Sequence, residues 1–232
     1  MIEPLPPQEL DALRQLNTPT ISNAIEIFKI RPRSEGFMDA SIRCIFPEMG
    51  VMVGYACTAT IAAREPAPPG LHVSRFEQWD NVLSIPAPRV MVIHDLDDPP
   101  AVGSYWGEVQ SNIYRALGCV GTVTDGSVRD LDEVRELGFH FFAAHVSVSH
   151  AYVHLVDFGQ PVKVGELTVH PGDLIHADQH GVLVIPHQVA RYVVNAAAWV
   201  EQAERQIIDY CKSPDFDIEG FKALYKRLRG QP

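Results

Sequence analysis

The chain has 232 residues, 46% of them apolar and 21% charged, with a formal net charge of −10 at pH 7. That composition describes an ordinary globular protein long enough to bury a full core. No Lys/Arg cluster interrupts the acidity, which excludes a nucleic-acid footprint, and no apolar run reaches the roughly 18–20 residues of a membrane span.

The opening Met-Ile-Glu-Pro-Leu-Pro-Pro has neither a basic n-region nor an apolar h-region, so no leader and a cytoplasmic location are expected. Pro7 to Leu16 reads as a short helix, with Leu10, Leu13 and Leu16 three apart. Thr18-Pro19-Thr20 caps a second helix through Ile27, whose apolar stripe is Ile21, Ala24, Ile25 and Phe28. Residues 30–49 are punctuated by Pro and Gly and predict irregular structure. Val51 to Ala63 alternates as a strand does.

The middle of the chain predicts a β-α-β-α-β run. Arg89 to Asp95 is a short apolar stretch with a polar end, as a buried parallel strand is. Tyr105 to Leu117 reads as a helix with Gly118 at its C′ position. Cys119 to Thr124 is a second buried strand, and Asp125-Gly126 reads as a turn. Asp130 looks like an N-cap, with Glu133 completing a capping box for a helix that ends at Gly138. Phe139 to His145 is a third strand. Such alternation implies parallel strands with right-handed crossovers.

From Gln160 the pattern shortens. Val162 to Val169 alternates about Gly165-Glu166 as a hairpin, Pro171-Gly172-Asp173 is a turn, and Leu174–Ala177 and Val182–Pro186 are two more strands. These short strands predict a sheet curling into a second layer. A long helix from His187 to Tyr210 and a last one from Asp217 to Arg229 close the chain. No linker divides it, so a single α/β domain over residues 1–232 is expected. The four cysteines are widely spaced with no Cys-x-x-Cys pair, and Cys57 and Cys119 lie in strand-like runs, which predicts buried, reduced thiols.

The chemistry gathers where two βα turns follow one another. Gly107-Glu108 is followed, after twenty residues, by Arg129-Asp130 within Thr124-Asp-Gly-Ser-Val-Arg-Asp130. In open α/β sheets ligands collect at the carboxyl ends of the strands, where helix N-termini point free N–H groups. The amides of Glu108, Val109 and Gln110 would be among those donors and could hold a small carboxylate. If the strands are neighbours, these amides, two carboxylates suited to a hard divalent cation and a permanently charged guanidinium converge. That set suits an α-keto acid, whose carbonyl a metal and Arg129 would polarise toward an enolate. From the residues alone, Asp130 as a capping residue and Glu108 as a first-turn dipole partner remain the favoured readings.

Other candidates are weaker. His145, His150 and His154 invite a zinc reading, but the residues around them look extended and need not converge; His150 is instead a candidate for lining the pocket and selecting the substrate's distal group. His176-Ala-Asp178-Gln-His180-Gly fits a tight turn between strands. Ser104 has no Gly-x-Ser-x-Gly elbow around it. Glu201 and Glu204 read as a solvated helix face, and no glycine-rich loop supports a methyltransferase.

At these motifs the chain resembles the RraA-like family, which includes 4-hydroxy-4-methyl-2-oxoglutarate aldolases and regulators of ribonuclease E activity. The resemblance rests on an acid, twenty residues, then Arg-Asp, here Glu108 and Arg129-Asp130. Trp106-Gly-Glu-Val, the turn at 125–130, Thr18-Pro-Thr-Ile-Ser-Asn-Ala24 and Val169-His-Pro-Gly-Asp-Leu-Ile-His-Ala-Asp-x-x-Gly-Val-x-Val-Ile-Pro186 add to it. It implies an αββα sandwich with a swivelling-domain-like central β core and the N- and C-terminal helices packed outside. It also implies a homotrimer or hexamer and a Mg²⁺- or Mn²⁺-dependent pyruvate aldolase; the site chemistry adds oxaloacetate decarboxylation as an expectation, because both reactions leave a pyruvate enolate. By the same resemblance Arg129 contacts the pyruvate carbonyl, and Asp130 holds the metal directly or through water. Glu108 would hold metal-bound water, and Gly107, Val109 and Gln110 would surround the carboxylate. One departure stands out: the aldolase pattern usually has Asp where this chain has Glu108. The alternative is a non-catalytic trimeric regulator that binds a ribonuclease or another protein.

Overall fold

The computed structural model describes residues 3–229. Met1 and Ile2 of the opening stretch and the last three residues of the expected 1–232 domain lie outside the described residues. Helices α1 (Pro7–Arg14) and α2 (Thr18–Glu26) come first. The cap of α2 is Asn17, whose Oδ1 accepts the Thr20 amide at 2.8 Å, and not the Thr18–Thr20 stretch that the sequence suggests. Within residues 30–49, expected to be irregular, lie a two-residue strand β1 (Arg43–Cys44) and a single 3-10 turn (Pro47–Met49).

Strand β2 (Met52–Ala62), helix α3 (Arg75–Ser84), strands β3 (Arg89–Asp95) and β4 (Ser104–Trp106), helix α4 (Glu108–Ala116) and strand β5 (Cys119–Val128) follow. Then come α5 (Leu131–Leu137), β6 (His140–Val146), β7 (His154–Phe158), the hairpin β8 (Val162–Val164) and β9 (Leu167–Val169), and the pair β10 (Leu174–Asp178) and β11 (Gly181–Ile185). Helices α6 (His187–Lys212) and α7 (Ile218–Arg229) end the described chain. The expected parallel core is present: β2, β3, β5 and β6 lie side by side and run the same way.

The main sheet has the order β1-β6-β5-β3-β2-β10-β11, with β4 beside β5 and β7 beside β2. It curls almost into a barrel. Phe37 bridges Leu183, the Met38 amide donates to Val182 O at 2.9 Å, and Arg43 and Cys44 pair with β6. The short segment between these contacts therefore links the two edges of the sheet. Inside the curl Met52, Ala56, Val90, Val92, Val123 and Phe142 form one apolar cluster. Outside it, Val53 and Tyr55 of β2 pack with α1, α2 and α6, whereas Cys57, Ala59 and Ile61 of the same strand pack with residues of α3, α4 and α5. One long strand with side chains alternating between faces thus serves three cores. This is an α/β fold with a β core and helices outside, as the sequence motifs imply.

Three sequence readings fail in instructive places. The expected helix from Tyr105 begins only at Glu108, because Ser104, Tyr105 and Trp106 are all buried and form β4 against β5. Trp106, fully buried, packs on Tyr114, Phe139 and Phe141, and removing such a side chain typically costs about 3–5 kcal/mol. Asp125-Gly126 is no turn: β5 runs on to Val128 through a bulge against β6 between Thr124 and Ser127. Helix α3 is absent from the sequence reading although Phe76, Trp79 and Leu83 recur at helical spacing; its fully buried residues are Gln78 and Val82.

Candidate functional site

The site is built where β5 ends beside the start of α4. Asp130 has φ 56° and ψ 49°, a left-handed conformation that costs an L-residue roughly 1–2 kcal/mol and that Asp tolerates better than most. It makes no side-chain cap to α5, so the expected capping box with Glu133 is absent. Its carboxylate turns instead to the other helix: Oδ2 accepts the Glu108 amide at 2.9 Å, across 22 residues of sequence. The Glu108 N–H, expected to be open for a ligand, is therefore taken, and Val109 and Gln110 supply the amides that remain at the start of α4.

Gly107 is what permits the approach. A Cβ there would lie 2.4 Å from Asp130 Oδ2 and 3.2 Å from Arg129 Nε, so any side chain displaces the carboxylate. The Arg129 guanidinium stands 4.0 Å from Asp130, and its backbone amide donates to Trp106 O at 3.0 Å, which ties β4 to the Arg-Asp pair. Asp130 accepts no hydrogen bond on its second oxygen from the described residues. The backbone amide of Glu108 and the side chains of Arg129 and Asp130 thus meet at one corner.

Of these three, Arg129 lines a cleft of about 500 Å³ whose walls also include Gly107, Val109, Gln110 and His150, whereas Glu108 and Asp130 are not among its lining residues. His150 lines this cleft, as do Arg75, Tyr105, Tyr152 and His154. The loop that carries His150 is held from below: the Ser104 amide donates to Ser149 O at 2.9 Å, and a Cβ on Gly103 would lie 2.4 Å from His150 O. Both histidine rings are fixed by backbone carbonyls, His150 Nδ1 to Ala151 O at 2.7 Å and His154 Nδ1 to Tyr152 O at 2.9 Å. A carbonyl only accepts, so each Nδ1 carries the proton and each Nε2 is the free acceptor of the neutral ring. His145 sits on β6 and does not line the cleft.

The preceding loop is anchored by a buried carboxyl. Asp95, 2% exposed, accepts the Ala101 amide at 2.7 Å and the Asp97 amide at 3.1 Å, and burial raises its pKa. Asp125, in the bulge of β5, accepts the Asp95 amide at 2.8 Å and hydrogen-bonds His94 Nδ1; that bond holds the His94 pKa above its ordinary value. Asp95, His94 and Asp125 escaped the sequence reading. The polar end of the Arg89–Asp95 run signals the first two, and Asp125 stands in the Thr124–Asp130 motif that reads as a turn, but neither signal gives a partner.

Mg²⁺ or Mn²⁺, the ions that the family motifs imply, can be tested against the donors present. Hard divalent cations take oxygen ligands, and Asp130 keeps one oxygen open beside the start of α4, where Glu108 is the first residue. Among the described residues no group of three or more His, Cys, Asp or Glu is arranged to hold a metal. Water and substrate would therefore complete the shell, which is how Mg²⁺ is commonly bound. On that donor chemistry the corner fits a divalent ion.

The remaining candidates have structural roles. Ser104 Oγ donates to backbone carbonyls, at 2.6 Å to Trp106 O and 2.9 Å to Ser127 O. Asp178 and His180 form the turn between β10 and β11. All four cysteines are free; Cys57 and Cys119 are buried, and burial pushes the Cys119 thiol up to about 12. No helix among the described residues is long and apolar enough to cross a membrane.

The RraA-like family model, described as Aldolase/RraA, matches residues 11–184. Protein DlpA of Legionella pneumophila is 25% identical over 87% of this chain and 31% of its own length. A Halalkalibacterium halodurans protein provisionally named 4-hydroxy-4-methyl-2-oxoglutarate aldolase is 31% identical over 44% of this chain and 51% of its own. The chain thus spans from under a third to about half the length of these curated relatives. Among solved structures, a protein from Pseudomonas syringae pv. tomato is 26% identical with a TM-score of 0.74, covering 97% of both chains. A Streptomyces coelicolor structure, described as an unusual member of the RNase ES inhibitor RraA protein family, shares the fold at 21% identity and a TM-score of 0.69, over 88% of this chain and 98% of its own. With the Arg-Asp corner in place and the family match running over most of the sequence, the chain belongs to the RraA-like family.

Proposed function

We propose that this chain is a divalent-metal-dependent lyase that cleaves a 4-hydroxy-2-oxo acid, of the 4-hydroxy-4-methyl-2-oxoglutarate kind, to pyruvate and a second carbonyl compound, and that it also decarboxylates oxaloacetate. The observation that carries the reading is the contact across Gly107. It sets Arg129 and Asp130 against the start of α4 with the Val109 and Gln110 amides beside them.

The amides of Val109 and Gln110 take the substrate carboxylate, helped by the positive end of the helix dipole. Arg129 donates to the C2 oxygen, where charge collects as the C3–C4 bond breaks, and it cannot lose its own proton at working pH. His150 accepts the C4 hydroxyl proton at Nε2 as C4 becomes a carbonyl. C3 keeps the electron pair, delocalised on to the C2 oxygen, and then takes up a proton to give pyruvate. Mg²⁺ or Mn²⁺, held by Asp130 directly or through water and by Glu108 through water, would polarise the oxo group as a Lewis acid. Oxaloacetate fits the same scheme because loss of CO₂ leaves the same carbanion.

The reading places the chain in the cytoplasm as one domain acting on a small oxo acid, assembled as a homotrimer or hexamer. The exposed apolar side chains Val109, Val148 and Tyr152 near the cleft are surface that such an assembly would cover. Pyruvate release from 4-hydroxy-4-methyl-2-oxoglutarate and from oxaloacetate, with Mg²⁺ and then with EDTA, tests it. Release that EDTA stops and Arg129→Ala slows by about 10²–10³-fold is the expected result. Wild-type rates from Arg129→Ala, or indifference to EDTA, would sink the reading. No turnover together with a stable protein partner in a pull-down would favour the regulator.

A further inference from the structure

The cleft beside Arg129 has a second cationic end that the oxo-acid chemistry does not use. Its lining includes Arg75, Arg129, His150 and His154 and no Asp or Glu. In a chain with 29 acidic and 19 basic residues, a cleft wall of two guanidiniums and two imidazoles without a carboxylate is selective placement. Arg129 has Asp130 beside it. Arg75 forms no ion pair with a carboxylate among the described residues, so its charge faces the cleft uncompensated.

Arg75 is also well positioned. It begins α3, whose N-cap Ser74 accepts the Glu77 amide at 3.3 Å. One turn further on, Gln78 is 1% exposed and accepts from Tyr114 OH at 2.8 Å, and Tyr114 OH in turn pairs with Tyr105 OH at 2.8 Å. Tyr105 lies on β4, two residues before Gly107. The helix that presents Arg75 is thus fastened, through three buried side chains, to the segment that forms the Arg129 corner. Arg75 and His154 also line a neighbouring hollow of about 340 Å³, so Arg75 has open space on more than one side.

We propose that Arg75 is the specificity-determining receptor for the far carboxylate of a dicarboxylic oxo acid whose oxo-acid end lies at Arg129. The near end rests on the function proposed above; the far end rests on the uncompensated guanidinium in the wall of the same cleft as Arg129. A guanidinium binds a carboxylate through two parallel hydrogen bonds. An oxo acid with an uncharged tail leaves Arg75 without a partner and gains nothing from it.

The test is calorimetric titration of the full chain, with Mg²⁺ present, using 2-oxoglutarate and 2-oxobutyrate, which differ in the distal carboxylate. Wild-type protein is expected to bind 2-oxoglutarate at least tenfold more tightly. In Arg75→Gln the ratio should fall to about one, and Arg75→Lys should restore part of it. Thermal melts establish that each variant is folded. Equal binding of both acids by wild type, binding of neither, or a preference that survives Arg75→Gln overturns the proposal. None of these readouts needs turnover. A protein that keeps an Arg75-dependent preference but releases no pyruvate overturns the lyase reading alone, and one that releases pyruvate without the preference overturns this inference alone.

Discussion

Two aspartates in this molecule make the same hydrogen bond and do different work. Asp178 Oδ2 accepts the Thr18 amide at the start of α2 at 2.9 Å, across 160 residues; Asp130 Oδ2 accepts the Glu108 amide at the start of α4 at the same distance. Asp178 is finished by that arrangement. Its other oxygen accepts the His180 amide at 2.8 Å, its side chain is 6% exposed, and neighbouring His176 is fixed between Thr18 Oγ1 and Leu13 O. Asp130 is unfinished: 32% exposed, left-handed in backbone, beside an arginine, with an oxygen to spare. A helix cap does not reveal its purpose by itself. What the carboxylate has left over does.

The largest expected effect separates the two corners by chemistry. Arg129→Ala should lower kcat/KM for pyruvate release by about 10²–10³-fold, the usual loss of one donor to a developing oxyanion, with little change in Tm. Stopped assays and thermal melts on the same preparation check both. Asp130→Asn keeps an oxygen for the Glu108 amide and a side chain suited to the left-handed backbone, but removes the charge. It should lose about 100-fold in activity, and Mn²⁺ affinity with it, at near wild-type Tm. A destabilised but active Asp130→Asn would make it another Asp178.

The converse is Asp178→Ala, which strands the Thr18 and His180 amides. It should cost about 2 kcal/mol and lower Tm by roughly 4–8 °C while kcat of the folded fraction stays put. The smallest effect is in acid. Burial works against charge on Asp178, but the Thr18 and His180 hydrogen bonds outweigh it and hold its carboxyl below the ordinary value. A depressed folded-state value means that the stabilisation is full above the unfolded pKa of about 3.9 and is lost as pH falls through the folded one. Denaturant melts from pH 5 to pH 2 should therefore be flatter for Asp178→Asn than for wild type.

Much of the fold was legible because its signals are local. Strands β3, β5 and β6 are continuous apolar runs, and Gly118, with φ 80°, is the helix stop it looks like. What failed depended on contacts made at a distance. Helix α3 is disguised because its core-facing Gln78 is polar, and the Tyr114 hydroxyl from α4 that bonds the Gln78 oxygen is 36 residues away. Asp125-Gly126 looks like a turn until Asp125 finds His94 and the Asp95 amide on the neighbouring strand. In the site, Glu108, Arg129 and Asp130 were legible as a spacing. The left-handed Asp130 that turns from its own helix to the next was not, since nothing within the motif specifies it. Arg75 was missed for the same reason as its helix.

The most direct measurement is a crystal structure of the protein soaked with pyruvate and Mg²⁺. The account predicts the pyruvate carboxylate against the Val109 and Gln110 amides, its oxo group against Arg129, and the cation on the open oxygen of Asp130. A ligand bound elsewhere, or Asp130 still holding only the Glu108 amide with no cation beside it, would contradict the account.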